Sequence, residues 1–169
     1  MSFVQTLRRD TAADHDRVDA LFGALRLDRR RDYVRFLGAH ARALPAVEAV
    51  LAADPTLPPW RSRTAQLAAD LAALGQAMPA MAAFGMEDHP ARWGALYVVE
   101  GSRLGGQVLA RSVPAAFPAA YLGAVHRQGE WRALLTAIDG RAQAEGPAWQ
   151  QAALDGARHT FALYARALD

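Results

Sequence analysis

His15 lies in the stretch LRRDTAADHDRVD (7–19), with a basic residue, Arg8, two turns before it and a carboxylate, Asp19, one turn after it. On a helix these positions share a face, because residues four and seven apart stack along it. A neutral imidazole is a common ligand for a transition metal, and a carboxylate on its other nitrogen fixes the ring and its tautomer. Seven helical residues carry Arg8 about 10 Å along the axis from His15, comparable with the reach from the centre of a porphyrin to its propionates. One helix could therefore hold both a metal and an acid edge. His40, His89, His126 and His159 have no such neighbours and read as structural or exposed residues.

A second stretch, YVVEGSRLGGQVLAR (97–111), has helical apolar spacing yet carries Gly101, Gly105 and Gly106 in its middle. Interior glycine costs about 1 kcal/mol relative to alanine, so something must require it. At roughly 100° per residue, Gly101, Ser102, Gly105 and Gly106 form one face, and Gly94 extends it. A face without side chains admits either a large flat ligand or the backbone of another helix. A phosphate loop is a poor fit, since no G-K-[ST] follows and no strand precedes. Close helix packing and a ligand face both remain open on this stretch alone.

These residues must be positioned by helices. Of 169 residues 52% are hydrophobic, alanine, leucine and arginine dominate, and β-branched residues are sparse, which predicts an all-α chain forming a single domain over 1–169. The periodicity predicts helices over 3–24, over about 30–53 with a bend near Pro45, over 60–77, over about 90–112 with Pro90 in the first turn, around 130–138, and from Pro147 to Leu168. The run ADPTLPP (53–59) is the clearest turn. With no cysteine, disulfides, thiolate metal sites, a cysteine nucleophile and a cysteine-held iron–sulfur cluster are all excluded. The 19 basic residues are all arginine and face 17 acidic ones; a net charge of +2 gives no argument for nucleic acid. No signal-like or membrane-length apolar run occurs, so the expectation is a soluble, cytoplasmic chain.

The two stretches carry a resemblance. LRRDTAADHDRVD (7–19) resembles the proximal-helix pattern L-R-x-x-T-x-x-x-H of the biliverdin-producing heme oxygenases, and YVVEGSRLGG (97–106) is similar to the distal-helix motif of their bacterial branch. Their order and separation match, and the resemblance spans nearly the whole chain. It implies a helical bundle of the heme oxygenase type, with haem between a proximal N-terminal helix and a glycine-rich distal helix. His15 would be the axial iron ligand, and Gly101, Ser102, Gly105 and Gly106 the catalytic face over the haem. Arg8, Thr11, Asp19, Tyr97 and Arg132 would complete the haem-binding set, with Arg8, Tyr97 and Arg132 on the propionates. Thr136 stands where other members have a second basic residue. Ser102 stands where many animal-type members have an aspartate, and a hydroxyl is no proton reservoir. Protons are therefore expected to travel through water held on backbone carbonyls.

The activity so implied is opening of haem, as both substrate and cofactor, at a meso carbon to biliverdin, CO and ferrous iron. It consumes O2 and electrons from an external donor such as a ferredoxin, flavodoxin or reductase, and a biliverdin-using photoreceptor is a further implied partner. No nucleic acid or membrane partner is expected. The main alternative is a haem-binding storage or delivery protein without turnover. A thiamin-processing enzyme of similar architecture is disfavoured by the missing cysteine. A helical interaction module leaves the conjunction of His15, Arg8 and the glycine face without explanation.

Overall fold

The computed structural model describes residues 1–169 and contains helices and loops without strands. Helix α1 spans Phe3–Asp10, α2 Ala12–Gly23, α3 Arg30–Ala52, α4 Thr64–Ala73, α5 His89–Leu109, α6 Glu130–Glu145 and α7 Pro147–Arg166, with a short 3-10 turn at Ala110–Ser112. The expected 3–24 helix is in fact two. Thr11 leaves helical geometry at φ −107° and ψ 3°, while its hydroxyl donates to the Leu7 carbonyl at 2.7 Å. Such bonding of a threonine to the preceding turn bends a helix without glycine or proline. Helix α4 is shorter than expected, Thr64–Ala73 instead of 60–77, and α6, expected around 130–138, runs on to Glu145.

Start signals are local. Ser2 caps α1 through a reciprocal pair with Gln5, and Pro90 and Pro147 occupy the first turns of α5 and α7, where a missing N–H costs nothing. Pro45 lies inside α3, which continues through it; the Arg42 carbonyl one turn earlier accepts the Ala82 N–H at 2.9 Å, so the loop between α4 and α5 supplies a donor beside the proline.

Helix α7 is the central member. It packs along α5 and also carries α2, while α2 and α5 hardly touch each other. Helices α2 and α5 therefore stand on α7 without packing on each other, and the space between them is the candidate groove, with α7 as its floor. Its back wall is closed by the 113–129 connection, which has little regular structure of its own and is fixed by buried polar side chains. Asp70, 1% exposed, accepts the Ala120 and Tyr121 N–H groups at 2.9 Å each; Tyr33 donates to the Pro118 carbonyl; Arg103 donates to that of Ala124. Each bond gives a partner to a loop peptide group that no helix or sheet ladder pairs.

Candidate active site

His15 projects from α2 with its side chain 58% exposed, its ring edge-on to Phe161 of α7 at 6.0 Å. Nδ1 faces Asp19 Oδ2 at 3.4 Å and Asp16 Oδ1 at 3.7 Å, which leaves Nε2 without a protein partner. An imidazole resting on an aromatic floor with a carboxylate on one nitrogen is set up to ligate through the other. No group of three or more histidine or acidic side chains is placed to hold a bare metal ion. A single imidazole suits a metal that arrives with its remaining ligands, as haem iron does.

Across the groove, α5 turns a graded face. At Gly94 an added Cβ would stand 1.8 Å from the Ala153 carbonyl oxygen of α7; at Gly101 it would meet Trp131 of α6 at 3.3 Å; at Gly105 it would meet nothing within 4 Å. Beside Gly105, Leu104 and Val108 are 44% and 59% exposed. The open face is thus Leu104, Gly105 and Val108, rotated from the expected one, while Gly101 and Tyr97 lie against Trp131 of α6. Gly94 belongs to the α5–α7 contact. Gly106 is buried, its Cβ position 3.4 Å from Leu122 of the back wall.

Ser102 also turns inward. Its hydroxyl donates to the Val99 carbonyl at 2.6 Å and accepts from the Arg63 guanidinium at 2.7 Å. Arg63, 2% exposed, donates further to the Val99 carbonyl, lies over the Tyr121 ring at 5.1 Å, and has its own N–H on the Glu48 carboxylate. Thr11 is likewise buried, with its hydroxyl on Leu7.

The remaining sequence-chosen residues gather at the α1 end. Tyr97 stacks on Trp131 at 5.8 Å; burial pushes its hydroxyl pKa up, with the nearby Arg8 charge acting against that. Arg8 and Arg132 are both exposed. The structure therefore sets Arg8 near Tyr97, leaves His15 exposed on α2 between Asp19 and Phe161, places Arg132 on the surface of α6, and withdraws Thr11, Ser102 and Gly106 into the protein.

Several contributors were not singled out from sequence. Phe161 and Trp131 shape the groove, and Arg63 ties α5 to the loop before α4. Phe22 could have been found, since it follows His15 by seven residues on the same face of α2. A depression of about 640 Å³ beside the start of α5, lined by Asp88, Gln151, Asp155 and His159 among others, contains none of the residues that the sequence singled out for chemistry.

No family model matches the chain. A 52-residue stretch is 48% identical to a heme oxygenase of Xanthomonas campestris pv. campestris (strain 8004), covering 31% of this chain and 32% of that protein, so the match spans about a third of the curated relative's length. Over almost the whole chain the structure resembles the NO- and CO-bound heme oxygenase from Neisseria meningitidis, with a TM-score of 0.83 and 27% identity, covering 99% of this chain and 90% of that one. The chain is thus similar in fold along nearly its whole length to one bacterial heme oxygenase, and in sequence over 52 residues to another.

Proposed function

We propose that the protein is a heme oxygenase that binds haem in the α2–α5 groove and opens it at a meso carbon, giving biliverdin, CO and ferrous iron. The observation that carries this reading is the pairing across one groove of an exposed, carboxylate-backed imidazole with a helix face left bare at Gly105. A glycine facing open space has no packing reason to be there, and it sits among exposed leucine and valine side chains suited to a flat apolar ligand. When bound, haem supplies the iron that takes up O2 and the macrocycle that is oxidised.

The protein's own residues do the rest. His15 would ligate through Nε2, with Asp19 holding its orientation. Arg8, Tyr97 and Arg132 would take the propionates at the α1 end, and Thr11 sets the bend that aims α2. Gly105 keeps the open face low, while Gly101, Ser102 and Gly106 seat α5 against Trp131, Arg63 and Leu122. That face carries no ionisable side chain, so hydrogen bonds beyond the iron fall to backbone and water. No helix is long and apolar enough to cross a membrane. Electrons must come from a separate donor, a ferredoxin, flavodoxin or reductase, and the exposed arginines give it an attractive surface.

Titration with hemin should give a histidine-type Soret band that His15→Ala loses and imidazole partly restores. Ascorbate under air should then replace that band with bilin absorption. A parent protein that keeps its haem intact under reduction would instead be a storage or delivery protein. A His15→Ala variant with the parent's spectrum would remove His15 from the iron.

A further inference from the structure

The break at Thr11 is gripped from α7. As the last residue of α1, Asp10 has a carbonyl without a partner inside its helix. Arg158 of α7 supplies one, its Nη2 donating to that oxygen at 3.1 Å. The same guanidinium faces Asp14 Oδ2 of α2 across 3.9 Å from Nε, and Asp155 Oδ1 of its own helix across 3.9 Å from Nη1. Asp10 directly precedes the break and Asp14 directly precedes His15, so one side chain reaches both sides of Thr11. No other hydrogen bond or ion pair joins α1 or α2 to α7.

The start of α2 has little else to aim it. Phe22 is its one buried residue, seven positions beyond His15. The Thr11 hydroxyl bends the chain by bonding back to Leu7, but that bond stays within the α1 side and does not set where α2 points. His15 follows the break closely, since its N–H donates to the Thr11 carbonyl at 2.9 Å. Its ring stands edge-on to Phe161 at 6.0 Å, and Phe161 is three residues after Arg158 on the same face of α7. Arg8 lies on the far side of the break. A straight helix would fix the relation of Arg8 to His15 by itself; here it depends on the angle at Thr11.

Resting on the haem reading of the groove, we propose that Arg158 is a positioning residue: by holding Asp10 and Asp14 to α7 it fixes the angle at Thr11, and with it the tilt of the His15 imidazole at the iron. Its side chain is 45% exposed, so the contact weighs little in overall stability. A small energy suffices, because it selects among angles that the chain would otherwise adopt at similar cost. Binding of hemin does not depend on it, since the imidazole, Asp19 and Phe161 remain.

Amide hydrogen exchange of the haem-free protein tests the grip, and resonance Raman of the reduced hemin complex tests its consequence. Arg158→Met keeps the apolar stem without charge or donor. It should speed exchange of the His15 amide about fivefold, the effect of losing one exposed contact, and leave the amides of α7 as in the parent. Its hemin complex should keep the Soret band, and the affinity within about twofold, while the single iron–histidine stretching band of the parent broadens or splits. Arg158→Lys should restore both readouts, because the bond to Asp10 is single, not forked, and an ammonium can make it. Unchanged exchange at His15 in Arg158→Met would overturn the proposal, as would faster exchange throughout α7, which would make Arg158 a residue of general stability. An iron–histidine band like the parent's in Arg158→Met, or an Arg158→Lys that behaves as Arg158→Met does, would overturn it too. Failure of the parent itself to give a histidine-ligated hemin complex would count against the haem reading, while the exchange result decides the grip without it.

Discussion

At Gly94 a single added carbon would collide with the backbone of α7, whereas at Gly105, three turns further along α5, it would meet open space. Both glycines lie on nearly the same side of the helix, so sequence spacing assigns them one role. The difference is made by α7, which crosses α5 at Gly94 and then diverges. Its own Gly156 returns the contact, with a Cβ position 2.1 Å from the Ala91 carbonyl oxygen. One end of the helix uses glycine to close a joint and the other leaves a ligand face bare. The proximity of rigid joint to open face is useful, because a groove wall without side chains must be held in place from elsewhere.

Substitution at the joint should do the most damage. Gly94→Ala must push α7 away, since the atoms in conflict are Ala153 O at 1.8 Å and Ala157 N at 2.7 Å, both backbone. Overpacking costs about 1–3 kcal/mol even where side chains can yield, so a loss of about 3 kcal/mol is expected after the gain in helix propensity. Chemical denaturation measures it. The molecules still folded should bind hemin as the parent does, and a stable Gly94→Ala protein with damaged hemin binding would merge the two regions into one.

Acid should loosen the same end next. Asp54, 6% exposed, is fastened to the start of α5 by His89, and its pKa is lowered from 3.8 to about 2. Burial alone would raise it, but hydrogen bonds from the Thr56 hydroxyl and N–H and from His89 outweigh burial. A depressed carboxyl stabilises the fold above its unfolded value and loses that contribution as pH falls through about 2. The contribution is on the order of 2 kcal/mol. Asp54→Asn should therefore be less stable than the parent near neutral pH, by a gap that narrows below pH 4, with hemin affinity unchanged. A gap that does not narrow in acid would show that packing, not charge, fastens this end.

At the open end the signs reverse. Gly105→Leu should gain about 0.8 kcal/mol of helix propensity and meet no steric cost, yet hemin affinity should fall by about tenfold, or ~1.4 kcal/mol, because the new side chain enters the groove. Thermal melting and hemin titration on the same sample decide it. A lowered melting temperature with normal affinity would mean that Gly105, too, belongs to a packed contact.

The unequal legibility of these features has physical causes. The course of α5 could be read from sequence because Pro90 and the apolar period act locally. The break at Thr11 could not, because it depends on one hydroxyl bonding back to Leu7. Spacing grouped Ser102 and Gly106 with the open face, but the 113–129 connection lies over that flank, and its path is set by Asp70 and Tyr33, whose partners are 50 and 85 residues away. His40 reads from sequence as structural or exposed for the same reason: Tyr121, its hydrogen-bond partner, is 81 residues distant. The His15, Asp19 and Arg8 series was visible because all three share α2 or the short helix leading into it.

The smallest expected effect concerns how a ligand seats in the groove. Arg8 and Arg132 are both exposed, on different helices near Tyr97. Contacts between such arginines and carboxylates contribute only about 0–1 kcal/mol each, far less than an axial bond and the apolar burial of a macrocycle. Losing both should therefore leave hemin affinity nearly intact. Rotational seatings of a near-symmetric ring differ by little, however, so the same loss can redistribute them, since about 1.4 kcal/mol already changes a ratio tenfold. Arg8→Ala combined with Arg132→Ala should accordingly form several biliverdin isomers where the parent forms mainly one, as chromatography of the products would reveal. A single unchanged isomer would leave Tyr97 and the apolar inner end at Phe22 to fix the seating, and would shift control of regiochemistry from the charged end of the groove to its closed one.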